Sequence, residues 1–350
     1  MGGAEKCAVD LAIRLKSHGY KAIVISIASK PVTELTLVER LEENAIETIY
    51  LNSDSIFSAC NAFAKLSSSL IAQKPSVVLT FLFHANVLTG WVLRLKGLEI
   101  PQFACMRVAD PQKLRLVLER LSTLKVQKYI CVSRAVEKFV ITKMGVSSSK
   151  VLTIPNGIDL DGLSEVLPVN PKSLCIEDRY IIYVGRLHEQ KRVHDLIEWY
   201  AVSGIVEKLV IVGSGHLLPN LQTLVERLGL LESVHLLGWQ PNPVALVMNA
   251  ECFVLPSKWE GMPNALLEAM AIGKSAVAFD VEGVSELLGD SPEQIAKNGD
   301  FNEFTDKLRR ILAEPELRKR LGSRNLERVK HKFQLSHQLE KYVNLIRQAI

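Results

Sequence analysis

The segment WEGMPNALLEAM, residues 259–270, places two glutamates, Glu260 and Glu268, eight positions apart. A glycine, a proline and an asparagine lie between them, and Pro263 suits the first position of a helix. A helix that begins here offers spare backbone N–H groups, which favour an anion. Along a helix the two carboxylates are too far apart for one bidentate site. The spacing favours two separate tasks, and the plain alternative is one loop charge and one exposed helix residue.

Two cations follow another predicted strand, in YVGRLHEQKRV, residues 183–193. Arg186 and Lys191 come directly after Gly185, at the carboxyl end of that strand. Ligands bind at this end of parallel sheets. A guanidinium fork and an ammonium point charge suit a diphosphate. The alternative is a pair of solvated surface charges.

Glycines follow further predicted strands, at Gly213 in IVGSGH and at Gly238 in LLGW, and Gly2 and Gly3 open the first helix. Glycines at successive strand ends favour a nucleotide along that edge of the sheet, although a simple turn also explains Gly2 and Gly3. The chain has no G-x-x-x-x-G-K-[ST] element, so P-loop chemistry is unsupported. A G-x-G-x-x-G element after the first strand is also absent, which weakens a dinucleotide site.

These residues need a scaffold, and short apolar strands alternate with amphipathic helices along the chain. The strands lack period-two alternation, as expected when both faces are covered. Two successive sets of such elements predict an α/β fold with two doubly wound parallel sheets. We expect a first domain over 1–153, a hinge over 154–178 and a second domain over 179–330. The helix predicted over 331–350 is a candidate to pack back on the first domain.

The first domain is expected to lack its first strand. A doubly wound domain begins with a strand, whereas this sequence opens with MGGAEK, already in the glycine turn before the first helix. Losing a central strand would expose two ladder edges and apolar surface. We therefore expect a start upstream of Met1, with a domain that lacks the strand as the alternative.

The six cysteines have no metal-ligand or redox spacing, so we expect buried free thiols in a reducing compartment. No secretory signal is visible.

Residues 76–93 have nearly the length of a spanning helix, but they include His84 and Asn86. A strand over Val77–Phe83, a short turn and a helix from about Ala85 explain this window better than a membrane span.

Charge is spread unevenly: residues 1–150 hold 20 Lys and Arg against 12 Asp and Glu, and residues 151–350 hold 22 against 26. The basic half favours a polyanion or an anionic membrane, or reflects uneven solvation. The helix predicted over 111–128 concentrates this charge around one acid, Glu119. It could lie on anionic lipid or pack on its own sheet. Its basic residues are Lys113, Arg115, Arg120, Lys125 and Lys128, and its apolar stripe is Leu114, Leu118, Leu121 and Leu124.

Taken in order, GGAE, IPNGID, VGRL with QK, VGSG, LGW and PSKWEGMPNALLEAMAIGK resemble the retaining glycosyltransferases of family 4 over essentially the whole chain. CMRVAD and CVSRAVEKF look like members that build bacterial surface polysaccharides. The resemblance implies GT-B architecture, with two Rossmann-like domains facing a cleft. It also implies hexosyl transfer from a nucleotide-diphosphate donor to a hydroxyl of a glycan or a polyprenyl-linked sugar, with no nucleic acid as partner.

The resemblance assigns roles to the residues. Arg186 and Lys191 would neutralise the leaving diphosphate, and Glu260 would stand beside the donor sugar, where it favours developing positive charge. Glu268 would bind the ribose hydroxyls, and His84, at the end of a first-domain strand, would meet the donor sugar. Further donor contacts are expected from Gly3, Gly213, Gly261, Met262, Pro263, Asn264, Leu266 and Leu267.

The resemblance further implies catalysis without a metal or any cofactor besides the nucleotide sugar. The Asp-x-Asp at 159–161 lies in the predicted hinge, away from any strand end, and is expected to be part of that hinge. Two alternatives stay open, a nucleotide-sugar epimerase of the same architecture and a catalytically inactive subunit. We expect a cytoplasmic protein, with peripheral contact at the inner face of the cell membrane.

Overall fold

The structure is a computed structural model. It describes residues 3–32, 35–54, 58–110, 112–122, 126–169, 176 and 179–349, with the backbone alone for 113 and 114. The chain divides into two compact units. Unit 1 is Met1–Asn156 with Ser336–Ile350, and unit 2 is Gly157–Leu335. The boundary between Asn156 and Gly157 falls inside the segment predicted as a hinge.

Unit 1 contains parallel strands and the helices that cover them. Its strands are β1 (Ile23–Ser26), β2 (Glu47–Tyr50), β3 (Val78–Phe81), β4 (Gln102–Met106), β5 (Lys128–Cys131) and β6 (Val151–Thr153). Its helices in this part of the chain are α1 (Gly3–Ser17), α2 (Thr36–Glu43), α3 (Ala59–Gln73), α4 (Leu82–Leu95), α5 (Lys113–Ser122) and α6 (Arg134–Met144). β1 and β2 form one sheet, and β3, β4, β5 and β6 form a second sheet in that order.

Unit 2 contains one six-stranded sheet. Its strands are β7 (Tyr180–Val184), β8 (Lys208–Val212), β9 (Val234–Gly238), β10 (Cys252–Leu255), β11 (Ala276–Phe279) and β12 (Ile295–Ala296). The order across the sheet is β12-β11-β10-β7-β8-β9, and every pair is parallel. All residues of β10 and β11 are buried, because helices cover both faces. The prediction of an α/β fold with parallel sheets is confirmed.

The helices of unit 2 alternate with these strands and are followed by one last helix. They are α7 (Leu160–Ser164), α8 (Val193–Ser203), α9 (Leu218–Arg227), α10 (Pro243–Val247), α11 (Asn264–Ala271), α12 (Val284–Leu288), α13 (Phe301–Ala313) and α14 (Pro315–Lys332), and the last helix is α15 (Leu335–Arg347). Asp159, from the Asp-x-Asp segment, caps α7 by accepting a hydrogen bond from Gly162 N–H.

Helix α15 packs on unit 1. Its buried residues Leu339, Tyr342 and Val343 share one apolar cluster with Leu11 of α1 and Phe103 of β4. Burying one apolar side chain of this size stabilises the fold by roughly 1.5–3 kcal/mol. The end of the chain is therefore a structural part of the unit in which the chain begins.

The β3–α4 connection differs from the prediction. The strand ends at Phe81, and α4 begins at Leu82 with no intervening turn. Leu82 has a φ of 72°, the left-handed conformation that residues with a Cβ rarely adopt. At this residue the chain passes directly from the strand into the helix. His84 therefore lies in the first turn of a helix, and its placement at a strand end was wrong.

Helix α5 is shorter than predicted, and Leu118 and Leu121 of its apolar stripe face solvent. Lys128 belongs to β5, and Leu124 and Lys125 lie outside the described residues. Leu118 is 39% exposed and Leu121 48%, whereas Glu119 is 5% exposed. Of the two alternatives left open for this helix, packing of the apolar stripe on its own sheet does not fit Leu118 and Leu121, because they are exposed while a polar network binds the opposite face.

Two further expectations concern the cysteines and the membrane. Cys7, Cys105, Cys131 and Cys252 are buried free thiols, but Cys60 is exposed on α3 and corrects the prediction for that residue. Cys175 lies outside the described residues. None of the described helices has both the length and the apolar composition that crossing a bilayer requires.

Candidate functional site

The candidate site of unit 2 lies where the strand order of the sheet reverses. β7 and β10 are neighbours, and the chain continues from them in opposite directions across the sheet. A crevice forms at such a point outside the carboxyl ends of the strands. The loop after β7 carries Arg186 and Lys191, and the loop after β10 carries Glu260. The fold thus places both predicted loops side by side.

Lys191 and Glu260 form an ion pair between these two loops. Lys191 Nζ donates to Glu260 Oε1, and both side chains are largely buried. Ser257 Oγ donates to the same oxygen at 2.7 Å. The main-chain N–H of Glu260 donates to Glu282 Oε2 at 3.3 Å. A buried carboxylate needs such partners, because an unpaired charge away from water is costly.

Gln190 braces the two loops next to this ion pair. Its side-chain Nε2 donates to Trp259 O at 2.8 Å, and its main-chain O accepts from Lys258 N–H, also at 2.8 Å. Gln190 is buried and directly precedes Lys191 in the chain. The sequence analysis quoted QK as a motif but gave this glutamine no role, because the role depends on partners that are distant in sequence.

Tyr183 lies beneath the loop that carries Arg186. Its hydroxyl donates to the main-chain O of Arg186 at 3.1 Å. Burial raises the pKa of Tyr183 well above its usual value, and the charge of Glu260 raises it further. The phenol therefore stays protonated and keeps donating. A Cβ at Gly185 would lie 2.5 Å from this hydroxyl, so the loop requires a glycine there.

The glycine turns hold the ends of β7, β8 and β9 close together. Gly213 has a φ of 145° and donates its N–H to Gly238 O at 2.8 Å. A Cβ on Gly213 would overlap the carbonyl oxygen of Gly185, and one on Gly215 would overlap that of Leu187. Only glycine allows this close approach of backbones. At these glycines the carboxyl edge of the sheet therefore presents main-chain groups in place of side chains.

Helix α11 begins at this edge. Pro263 is its N-cap with a ψ of 112°, so the helix starts one residue later than predicted, at Asn264. Leu266 and Leu267 are buried, and Leu267 N–H donates to Pro263 O at 3.1 Å. That donor is used inside the helix in this structure, and the expected donor contact of Leu267 stays a prediction. Gly261 and Met262 are buried directly before the helix, and Glu268 lies on it, partly exposed.

Gly3 and His84 belong to unit 1. Gly3 is the first residue of α1. His84 is exposed, yet partial desolvation of its imidazole lowers its pKa, with a smaller effect from the Arg115 cation. Arg115 lies over the Phe83 ring, 5.0 Å from its centroid, and pairs with Asp110 at 2.6 Å. His84 is thus held neutral near pH 7.

A buried polar network lies beside His84, between β3, α4 and α5. Thr80 Oγ1 donates to Asn86 Oδ1 at 2.7 Å, and Asn86 Nδ2 donates to Glu119 Oε1 at 2.8 Å. Burial raises the pKa of Glu119, opposed by its bond with Asn86. No group of three or more His, Cys, Asp or Glu side chains able to hold a metal ion occurs in the part of the chain that the structure describes.

Two family models match the chain. One described as glycosyltransferase family 4 matches residues 1–161, and one described as glycosyl transferases group 1 matches residues 171–328. Together the two models match almost the entire sequence. The first of them matches most of unit 1, and the second matches most of unit 2.

Two curated relatives are bacterial glycosyltransferases. An *Escherichia coli* UDP-Gal:alpha-D-GlcNAc-diphosphoundecaprenol alpha-1,3-galactosyltransferase is 26% identical over 89% of this chain and 85% of its own. A *Campylobacter jejuni* N-acetylgalactosamine-N,N'-diacetylbacillosaminyl-diphospho-undecaprenol 4-alpha-N-acetylgalactosaminyltransferase is 30% identical over 58% of this chain. The chain spans 36% and 56% of the length of two of the curated relatives that it matches.

Among solved structures, *Anabaena* HepE in complex with UDP-glucose is similar, with a TM-score of 0.86. The match covers 99% of this chain and 96% of that one, at 18% identity. At this identity the likeness shows the fold, which is that of the GT-B proteins.

Proposed function

Since the chain belongs to the glycosyltransferases of family 4, we propose that it is a retaining transferase that uses a nucleotide-diphosphate sugar as donor. The acceptor is a hydroxyl of a glycan or of a lipid-linked glycan, as the names of its relatives suggest. The observation that carries the proposal is the buried pair of Lys191 and Glu260 at the reversal point of the sheet, beside Arg186.

The charges of this edge suit the departure of a diphosphate. When the bond to the donor sugar breaks, negative charge grows on the leaving phosphate and positive charge on the sugar. Arg186 and Lys191 stabilise the first, and Glu260 stabilises the second. Because Lys191 and Glu260 are largely buried, their charges act in a low dielectric and gain strength. Arg186 and Lys191 supply the positive charge that a metal supplies in other transferases, so we propose metal-independent transfer.

The remaining residues bind the donor in this proposal. The glycine turn at Gly213 lets phosphate approach the backbone, and Glu268 accepts hydrogen bonds from the ribose hydroxyls. Gly3 and His84 contribute from unit 1, where the neutral imidazole of His84 can accept a proton or a hydrogen bond from a sugar hydroxyl. Gly261 to Asn264 and Leu266 present main-chain groups before and within the first turn of α11.

We also propose that the enzyme works at the inner face of the cell membrane. Helix α5 presents Val117, Leu118 and Leu121 to solvent, and α4 and α6 lie on either side of it. Among the side chains that the structure describes on these three helices, every exposed charged one is basic. An apolar ridge between cations is complementary to anionic lipid. The exposed cations are Arg94, Arg120, Arg134, Lys138 and Lys143.

Donor screening followed by substitution tests the proposed activity. A panel of nucleotide sugars in a thermal-shift assay identifies the donor, and transfer is then measured with lipid-linked acceptors. We expect Arg186→Ala and Glu268→Ala to lower kcat/KM by about 10²–10³-fold with the fold intact. Arg320→Ala, at an exposed arginine of α14 far along the chain, is the matched control and should leave the rate unchanged. Full activity of either site variant overturns the proposal.

Two further outcomes separate the alternatives. Conversion of the donor without an acceptor would identify an epimerase, and binding without transfer or conversion would identify an inactive subunit.

The membrane proposal has its own readout in sedimentation with anionic vesicles. Replacing Leu118 and Leu121 by serine should weaken binding about tenfold or more. Val202→Ser, on an exposed residue of α8, should not, and equal binding by all forms contradicts the proposed surface.

A further inference from the structure

Another carboxylate, that of Glu282, lies next to the pair of Lys191 and Glu260. Glu282 follows β11, and β11 is the parallel neighbour of β10 in the sheet of unit 2. The loops after these two strands therefore emerge at the same edge. The main-chain N–H of Glu260 donates to Glu282 Oε2 at 3.3 Å, so the two loops are in direct contact. Glu282 thus belongs to the candidate site, although the proposed transfer gives it no role.

The loop that carries Glu282 packs tightly on the loop after β10. The next residue, Gly283, has a φ of 78°, the left-handed conformation that favours glycine. A Cβ at Gly283 would lie 2.2 Å from the carbonyl oxygen of Gly261 and 2.8 Å from the Cα of Met262. Only glycine allows two backbones to approach this closely. The backbone of Glu282 therefore has a fixed position beside the loop that also carries Glu260.

The charge of Glu282 is not neutralised by any residue that the structure describes. No lysine, arginine or histidine in that part of the chain pairs with its carboxylate, which accepts one main-chain N–H. Lys191, in contrast, offsets the charge of Glu260. Because Glu282 is only partly buried, a ligand at this edge can meet its second oxygen. A surplus negative charge therefore lies beside Glu260.

We propose that Glu282 selects the donor sugar by charge, so that the site takes a neutral or amino-bearing hexose and rejects a uronic acid. This inference rests on the proposed function, in which Glu260 lies beside the donor sugar. Hydroxyl and ammonium groups donate hydrogen bonds that the second oxygen of Glu282 accepts. A sugar carboxylate donates none at neutral pH and is repelled by the like charge. An unpaired charge of this kind is a known means of excluding a wrong ligand.

The cations of the same edge do not cancel this selection. Lys191 is already bound by Glu260, and the proposed function assigns Arg186 to the diphosphate. Neutral and acidic donors share that diphosphate, so its contribution to binding is the same for both. The difference in binding between two donors with the same nucleotide therefore comes from the sugar and isolates the effect of Glu282.

Matched pairs of donors test the proposal on the full chain by calorimetric binding. The pairs are UDP-glucose with UDP-glucuronate, UDP-N-acetylglucosamine with its uronate, and GDP-mannose with GDP-mannuronate, and the nucleotide found in the donor screen decides which is used. We expect the neutral member to bind about thirtyfold more tightly than its acid. Glu282→Gln keeps the side-chain length and an oxygen for Glu260 N–H, and it should reduce this ratio to about threefold or less.

Two further variants separate the charge of Glu282 from its position. Glu226→Gln removes one exposed negative charge at the end of α9, which leads into the amino end of β9 at the opposite edge of the sheet, and should leave the ratio unchanged. Glu282→Ala removes the bond to Glu260 N–H as well as the charge, and should lower the ratio as far as Glu282→Gln does. A lower ratio in the alanine variant alone would show that Glu282 only holds the loop, which overturns the proposal.

The same titrations distinguish a failure of this inference from a failure of the proposed function. If no nucleotide sugar of the donor screen binds, the proposed function fails, and the selection by Glu282 fails with it. If the unmodified chain binds the acid as tightly as the neutral sugar, or more tightly, the donor site is supported and the selection by charge is overturned. An unchanged ratio in Glu282→Gln also overturns it, because the preference then has another source.

Discussion

One buried glutamate from each unit can be compared, because the two side chains are equally buried but have different partners. Glu260 of unit 2 and Glu119 of unit 1 are each 5% exposed. Glu260 faces the ammonium of Lys191 and the hydroxyl of Ser257, whereas Glu119 accepts from the neutral amide of Asn86. A buried charge with a cation beside it can act on a ligand at neutral pH. A buried carboxyl in a neutral network serves the packing of its own domain.

We expect the largest effect from Lys191→Met, which tests the ion pair of the buried Glu260. The change leaves Glu260 buried without its cation, which costs about 3–5 kcal/mol of unfolding free energy. Transfer should fall by about 10²–10³-fold. Adding Glu260→Gln should restore most of the stability, measured by urea unfolding, but not the rate. A double variant as unstable as Lys191→Met would show that the pair does not account for the loss.

The next prediction compares one glycine of unit 2 with one glycine of unit 1. An added methyl would overlap the Gly185 carbonyl at Gly213 and the Ser122 carbonyl at Gly90. Alanine at either position should cost about 1–3 kcal/mol through overpacking. Only Gly213→Ala should also weaken binding of the nucleotide sugar that the donor screen identifies, measured calorimetrically, because only that turn lies at the candidate site. Gly162→Ala in α7 is the control, since its backbone is not left-handed and an added methyl makes only ordinary contacts there. Loss of nucleotide binding in Gly90→Ala would contradict the division of roles.

A smaller effect is expected from Gln190→Ala. The side-chain bond to Trp259 O is lost while the main-chain bond from Lys258 remains, so Lys191 and Glu260 should sample poorer geometry and kcat should fall about tenfold. KM should change little, because Gln190 is buried and its bonds go to the protein. Gln190→Glu keeps the length but replaces the donating amide, and Gln127→Ala serves as an exposed control. An unchanged kcat in Gln190→Ala would show that the loops keep their positions without it.

The smallest effect is expected from Glu119→Gln, and its sign depends on pH. Burial raises the pKa of Glu119 in the folded state. Above its unfolded value the folded protein must therefore hold a disfavoured charge, and the cost grows as pH rises through the folded value. Glutamine removes the charge, so the variant should gain on the order of 1 kcal/mol at pH 8 and nothing at pH 4. A gain at pH 4 that matches the gain at pH 8 would contradict this reading.

Much of unit 2 was predictable, because its signals are local. Apolar runs predicted its strands, and glycines, Arg186, Lys191 and the Glu260 segment marked the strand ends. Lys191 and Glu260 are distant in sequence, however, so only the sheet order brings them into contact. Ser257 and Gln190 fall inside the quoted motifs PSKWEGMPNALLEAMAIGK and QK, but their roles were not predicted, since a serine and a glutamine acquire them from tertiary partners.

Unit 1 was harder to predict, for physical reasons that individual residues show. Leu82 adopts a left-handed conformation that no propensity favours, and this moved His84 from a strand end into a helix. The pattern of α5 favoured an inward apolar stripe, but the Thr80–Asn86–Glu119 network binds the opposite face. Periodicity identifies an amphipathic helix without saying which of its faces meets the protein.

The two units differ in when the chain can complete them during synthesis. Unit 2 is one continuous stretch, whereas unit 1 combines 1–156 with 336–350. Tyr342 and its neighbours on α15 fill the cluster around Leu11 and Phe103. A ribosome therefore delivers every residue of unit 2 while the core of unit 1 still lacks one wall. Unit 2 can fold as it emerges, and until α15 leaves the exit tunnel the newborn first unit presents a bare apolar surface to chaperones.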